Sequence, residues 1–347
     1  MTKRVILGCL LAVSVGCGGT PTATDSGMTG NDSGSTTDTG PMVQAPLAVA
    51  MPAMLDLSCL GTATVPTGGA AVSAMLNVTE YVAMTPIRNT VVDLYTNDMI
   101  MGTCTAPTCI TATTDLMGHA TVIAPGGGWV AVHIIPATPT NCAGAADQAA
   151  CGALPNCGWD THATPNACAV SSDTAEVLAY NQTWPTTAGA TFGTYGFSPM
   201  SIGLISSLLG RTLQTTTAGA VSGQVNDCMG HNMANAEARV FHGTTQVVTG
   251  ASTDRASPRI TGLMGTSATR TGLTGSGGTF VGANMPVGDD YHVEIWGVRA
   301  AGGAVELIGC EEGRVVAGAI TVLVIGPLRT DYATGSACDL AATAAGH

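Results

Sequence analysis

The chain has 347 residues, a formal net charge of −12, only 10% charged residues and 4% aromatics. A usual level of charge is about 25%, so this is a Gly-, Ala-, Thr- and Val-rich, β-leaning composition rather than that of a helical bundle. Such an acidic chain does not neutralise phosphates, which excludes nucleic acid as a partner on electrostatic grounds.

In chain order, Lys3 and Arg4 form a positive start, and Val5 to Gly16 is an uncharged apolar stretch. It is too short to span a bilayer, which takes roughly 20 apolar residues, and has the length of a signal-peptide core. Gly16 then precedes Cys17, and this junction resembles the lipobox of a bacterial lipoprotein, although Ser14 stands where such motifs usually carry Leu. Cleavage after an Ala12-Val13-Ser14 site is the rival reading. The resemblance implies a signal peptide over 1–16 and lipidation at Cys17. With Gly18 next, it implies an outer-membrane address and a membrane partner held through the lipid. Removing residues 1–16 takes Lys3 and Arg4 from the 11 basic residues, leaving 9 against 23 acidic ones, a net charge of −14. No lysine is left, which excludes Schiff-base chemistry, lysine general bases and a P-loop.

Residues 17–45 are dominated by Gly, Thr, Ser, Asp and Pro, with Asp25-Ser26-Gly27, Asp32-Ser33-Gly34 and Asp38-Thr39-Gly40 recurring. This reads as a flexible acidic tether with a reach on the order of 30 Å. Its carboxylates are too sparse for a calcium repeat. From residue 46 the chain alternates short apolar runs with turn clusters, the pattern of an all-β sandwich. Residues 46–137 form a first β-sandwich domain on this reading, 138–176 a Cys-rich insert and 177–218 a connector with a short helix. Residues 219–329 form a second sandwich and 330–347 a tail. In the connector, Ser198 can N-cap, Pro199 suits the first helical position, Ile202, Ile205, Leu208 and Leu209 share a face, and Gly210 stops the helix.

Two stretches repeat one order of features. Asn89 to Tyr95, Thr114 to Gly118, then Pro125 to Val132 are matched by Asn235 to Phe241, Thr274 to Gly278, then Pro286 to Ile295. Each is a strand, a T-x3-G turn, a proline-glycine turn and a strand opening on an aromatic. With the G-x-V-x-D-x-x-G run at Gly223 to Gly230, the second copy resembles carboxypeptidase regulatory-like domains, the transthyretin or prealbumin-like β-sandwich. The first copy resembles them more loosely. The resemblance implies an all-β fold of two transthyretin-like sandwiches, with a small disulfide-rich insert and one short helix between them, and an accessory, non-catalytic role. Tyr291, Val293 and Ile295 alternate with His292, Glu294 and Trp296, so one strand face is expected to be buried and the other wet.

Ten cysteines remain beyond Cys9 and Cys17: Cys59, Cys104, Cys109, Cys142, Cys151, Cys157, Cys168, Cys228, Cys310 and Cys338. An even set in an exported chain reads as disulfides. Cys142, Cys151, Cys157 and Cys168 are expected to pair among themselves, Cys104 with Cys109, and Cys228 with Cys310. No C-x2-C pair offers a zinc site, and nothing calls for a cofactor. The seven histidines are scattered, with His242 and His292 the pair weighed for metal or catalysis. Asp289-Asp290 and Glu311-Glu312 read as solvated turn carboxylates. Trp296 is the aromatic with the best claim to an exposed, sugar-stacking position. The expected function is a non-catalytic interaction or structural module of the envelope whose partner is an envelope protein or a glycan. Glycan binding through Trp296 stands second and an envelope hydrolase third.

Overall fold

A computed structural model describes residues 47–48, 55–97, 100, 103–136, 142, 145–152, 154, 157–160, 167–170, 174–251, 253–264, 267–268, 272–299 and 303–347. The leader, Cys17 and the tether lie outside these residues. The first half runs β1 (Leu47–Ala48), β2 (Ala71–Glu80), β3 (Val91–Tyr95), β4 (Cys109–Thr113), β5 (His119–Pro125) and β6 (Trp129–Ile134). The insert follows with α1 (Gln148–Gly152), β7 (Cys157–Asp160) and β8 (Ala167–Val170), then β9 (Val177–Thr183), β10 (Thr191–Gly196) and α2 (Pro199–Leu209). The second half runs β11 (Ala218–Val225), β12 (Met233–Ala234), β13 (Glu237–His242), β14 (Thr245–Gln246), β15 (Arg259–Met264), β16 (Ser267–Ala268) and β17 (Thr279–Pro286). It closes with β18 (Gly288–Gly297), β19 (Glu306–Val315), β20 (Ile320–Ile325) and α3 (Ala337–Ala344).

The sequence repeat is a repeat of backbone chemistry. Asn89 and Asn235 both take a positive φ, 52° and 62°. In the first copy Thr114 Oγ1 accepts from Thr90 N at 3.0 Å, and in the second Thr274 Oγ1 accepts from Ala236 N at 3.0 Å. The glycine that closes each turn, Gly118 or Gly278, also has a positive φ, 77° and 65°. Its carbonyl accepts from Val78 N in one copy and Val225 N in the other, each at 2.8 Å. An added Cβ would meet the Val78 or Val225 carbonyl oxygen at 2.5 or 2.6 Å, so both turns require glycine.

Strand pairing extends the correspondence. β6 pairs antiparallel with β9 as β18 does with β19, and β10 pairs parallel with β2 as β20 does with β11. Each half is therefore two sheets enclosing a core. Leu76, Val78, Val122, Val132 and Ile134 are buried in the first, and Val240, Phe280, Val293, Ile295 and Leu323 in the second. Each such side chain contributes roughly 1.5–3 kcal/mol on leaving water. The alternation of Tyr291, Val293 and Ile295 places all three in that second core.

The two sandwiches are not separate. β20 pairs in parallel with β9, Ile320 opposite Val177 through Leu323 opposite Tyr180. This fuses one sheet from each half into a nine-stranded sheet ordered β16-β15-β17-β11-β20-β9-β6-β3-β4. The three-stranded sheet β10-β2-β5 and the four-stranded sheet β14-β13-β18-β19 pack against opposite faces of it. The stretch read as a connector thus supplies two strands as well as its helix. Their short apolar runs are interrupted by Asn181 and Gly193, which hides their period.

The ends of the described chain also belong to the second sandwich. Leu55, Leu57 and Leu60 pack on its core, and Gly61 N donates to Leu328 O at 3.0 Å. The tail is a helix, α3, capped by Ser336 and packed on β18 and β19 through Cys338 and Ala342. Helix α2 has the expected limits, with Ser198 at the N-cap, Pro199 first and Gly210 left-handed at φ 60°. It is anchored by buried Glu80, whose carboxylate accepts from Ser198 N and Oγ and from Ser201 Oγ. Burial pushes that carboxyl up, but these bonds and those from Val82 N and Ala83 N hold it below the usual range. At the other end Arg259 Nη1 donates to Leu209 O at 2.6 Å, a cation on the helix C-terminus.

Candidate functional site

The outward face of the four-stranded sheet carries most of the residues singled out from the sequence. Its register places Glu237 opposite Trp296, Arg239 opposite Glu294 and Phe241 opposite His292. This face is not wet. His292 is 5% exposed and Glu294 8%, because side chains from neighbouring strands lie across each other and α3 covers β18 and β19. The Phe241 ring stacks on the His292 imidazole at 4.7 Å. Trp296 donates from Nε1 to Glu294 Oε2 at 2.7 Å, and the Arg239 guanidinium lies over its ring at 4.6 Å. A ring covered by a cation and half-buried against Leu307, Cys310 and Cys338 is no open platform for a sugar. Trp184 is fully buried and Trp129 lies under Arg329, so glycan stacking finds no exposed tryptophan ring among the described side chains.

His242 and His292 do not come together. His242 is paired with Tyr291 across the strands and His292 with Phe241, so the two imidazoles project from opposite faces of the sheet. His242 instead meets Asp290, Nε2 to Oδ1 2.9 Å. The adjacent carboxylates are split by the same alternation and lie in strands rather than turns. Asp289 meets Arg314 at 3.1 Å, and Glu312 accepts from the Cys338 amide at 2.9 Å. Glu311 points inward.

Glu311 belongs to a buried, electrostatically perturbed cluster around Arg329. It is buried between the sheets and meets Arg329 Nη2 at 3.0 Å. The Arg329 guanidinium lies between two rings, Trp129 at 4.9 Å and Tyr332 at 4.5 Å, and its Nη1 meets Asp331 at 3.0 Å. Asn181 adds a hydrogen bond to the Glu311 carboxylate and donates from Nδ2 to Val324 O at 3.0 Å. Burial pushes the Glu311 carboxyl up to about 7, against the pull of Arg329. Burial works against the Arg329 charge too, but Glu311, Tyr332 and Asp331 outweigh it and its pKa rises. Nothing in the local sequence announces this cluster, which draws on β6, β9, β19 and the segment after β20. It ties the two sandwiches at their seam and presents no nucleophile beside the carboxylate.

The raised Glu311 pKa gives a signed prediction. The folded state holds this proton more tightly than the unfolded chain, so the group's contribution to stability is full below pH 4.5 and is lost as pH rises towards about 7. Wild type should therefore lose stability between pH 5 and pH 8 relative to Glu311→Gln, by about 3 kcal/mol at most. Urea melts of both at the two pH values check this. Parallel pH profiles would mean that Glu311 is not shifted.

The ten cysteines form five disulfides: Cys59–Cys228, Cys104–Cys109, Cys142–Cys157, Cys151–Cys168 and Cys310–Cys338. The pairing of Cys228 with Cys310 is corrected. Cys310 faces outward beneath α3, whereas Cys228 sits in the turn after β11, where its amide donates to Asp56 O at 2.9 Å. Among the described residues, two groups have the geometry of metal ligands, Cys142 with Cys157 and Cys168, and Asp93 with Cys104 and Cys109. Their sulfurs are held in disulfides rather than as thiolates, so neither has the donors a zinc site needs.

No protein-family model matches the chain, and no curated protein matches it. Among solved structures it is similar to the TIE protein of Bacillus anthracis, at 13% identity and a TM-score of 0.19, over 74% of this chain and 34% of that one. It is also similar to the shaft pilin SpaA of Lactobacillus rhamnosus GG, at 10% identity and a TM-score of 0.20 over 74% and 98%. A minor pilin of Streptococcus agalactiae follows at 11% and 0.18 over 76% and 98%. TM-scores this low decide neither fold nor function.

Proposed function

We propose that this chain is a non-catalytic lipoprotein of the bacterial envelope, anchored at Cys17 and acting as a structural or interaction module. The observation that carries the reading is the closure of the folded body by five disulfides, one of which joins residues 169 apart. Structural disulfides form and persist in oxidising, extracytoplasmic compartments, and the Lys3-Arg4 start with its apolar run supplies the export signal. No helix among the described residues is long and apolar enough to cross a membrane. On this reading the lipid at Cys17 attaches the chain, with a diacyl and an amide-linked chain giving stable anchoring. The acidic tether then holds the double sandwich away from the bilayer.

The test is the intact mass of protein extracted from membranes. Loss of residues 1–16, added acyl mass and no free thiol are expected. A soluble product starting at Val15, or titratable thiols, overturns the reading. Affinity capture from intact envelopes with the detergent-solubilised full chain then identifies the partner.

A further inference from the structure

The outward face of the three-stranded sheet β10-β2-β5 contrasts with that of the four-stranded sheet, which carries Glu237, Arg239 and Glu294. Its two ladders are unbroken, with Thr191 opposite Met75 and Met75 opposite Thr121, and Gly193 opposite Asn77 and Asn77 opposite His119. No outward position on the three strands is Asp, Glu, Lys or Arg, in a chain whose net charge is −12. The inward positions fill the first core, so the pleat leaves this face to solvent. Ile123 is 56% exposed, and a Cβ added at Gly193 meets nothing within 4 Å.

Its polar groups are uncommitted. Among the described residues, the side chains of Ser73, Asn77, Thr79, Thr121 and Thr191 make no hydrogen bond within the protein. The charged side chains elsewhere behave oppositely. Arg239, Arg299, Arg314 and Arg329 each meet a carboxylate, and Arg211 donates to four backbone carbonyls. A flat, uncharged array of free hydroxyls and an amide, with Met75 and Ile123 as apolar contacts, can satisfy a hydroxyl-rich neutral ligand. An ion gains nothing there.

We propose that this face binds a neutral polysaccharide lying along β2. The inference rests on the reading of the chain as a non-catalytic interaction module and names the partner. Charge matches: an uncharged face offers no ionic attraction to an anionic polymer, and the acidic body repels one. Size matches as well. Strands about 4.8 Å apart and about 3.3 Å per residue make the patch on the order of 300 Å². A stable protein interface takes roughly 800 Å² per partner, so a second copy of this chain has too little surface here, whereas a few sugar rings in a row do not need more. Gly193 opens a slot between Thr191 and Tyr195, and Tyr195 stands edge-on to Tyr81 at 5.7 Å.

The test is electrophoresis of the full chain through gels containing dextran, galactomannan or xyloglucan, with pectate and alginate as anionic controls. At least one neutral polymer is expected to retard wild type, and neither anionic one. Gly193→Arg and Thr121→Arg should weaken retardation at least about tenfold, with unchanged melting temperature because both side chains enter open space. Gln246→Arg, which adds the same charge at an exposed position on β14, should leave it unchanged. The proposal is overturned if no neutral polymer retards wild type, if Gly193→Arg leaves retardation intact, or if Gln246→Arg abolishes it equally. It is also overturned if wild type sediments as a dimer that Gly193→Arg dissociates. A chain that passes the mass and thiol test yet is retarded by none of the polymers removes this inference and leaves the proposed function standing.

Discussion

Replacing Arg329 by alanine should destabilise the folded chain by roughly 3–5 kcal/mol, the usual cost of stripping one partner from a buried ion pair. Arg329 is 12% exposed and Glu311 5%, so little solvent replaces the lost charge. The variant also empties the space between the Trp129 and Tyr332 rings, where a desolvated cation–π contact contributes up to about 2 kcal/mol. The loss should be greater at pH 8 than at pH 5, because at the lower pH Glu311 can take up a proton and need not remain as a lone buried charge. Arg329→Lys should fall between wild type and alanine, since an ammonium keeps the charge but not the planar stacking. The melting temperature should fall by about 6–12 °C for alanine, read by calorimetry. A fall of a degree or two would show that the seam holds without the cluster.

The second large effect belongs to Cys59–Cys228. Its 169-residue span encloses the whole first sandwich, so the bond clamps the leading segment to the second. Chain entropy gives such a loop about 5 kcal/mol and a five-residue loop about 2 kcal/mol. The double variant Cys59→Ser with Cys228→Ser should therefore lose more stability than Cys104→Ser with Cys109→Ser, whose bond spans 5 residues. Denaturant midpoints of the two double variants provide the comparison. Equal losses, or the reverse order, would mean that the leading segment is held by its contacts with Leu328 and Asp227 rather than by the bond.

Much of the local structure was legible in the chain because the signals act over a few residues. Ser198, Pro199 and Gly210 delimit α2 by satisfying, omitting or redirecting the groups a helix end leaves open. The repeated Asn, Thr and Gly positions showed that two related units exist, since each turn needs those residue types. The alternation at Tyr291, Val293 and Ile295 identified the buried face of β18. The same alternation was misleading about Trp296 and His292, because a strand pattern reveals which side faces away from its own core but not what then covers it. Helix α3 and Arg239 cover Trp296, and Phe241 covers His292, all from positions distant in the sequence.

Composition, the ten cysteines and the paired turn motifs determined by themselves that this is a disulfide-bonded, mostly β chain of two similar halves. Only the tertiary structure decided that the halves share a nine-stranded sheet, that Cys228 pairs with Cys59, and that Glu311 meets Arg329. The physical reason is the same in each case. The β9–β20 junction is made by backbone amides and carbonyls, which every residue type carries, so no side chain marks it in advance. The disulfide and the ion pair join positions that only chain folding brings within bonding distance. The uncharged face of β10-β2-β5 also became visible only there. Its members come from three strands, the outermost beginning over a hundred residues after β2 begins, and they form one surface only once those strands are laid side by side.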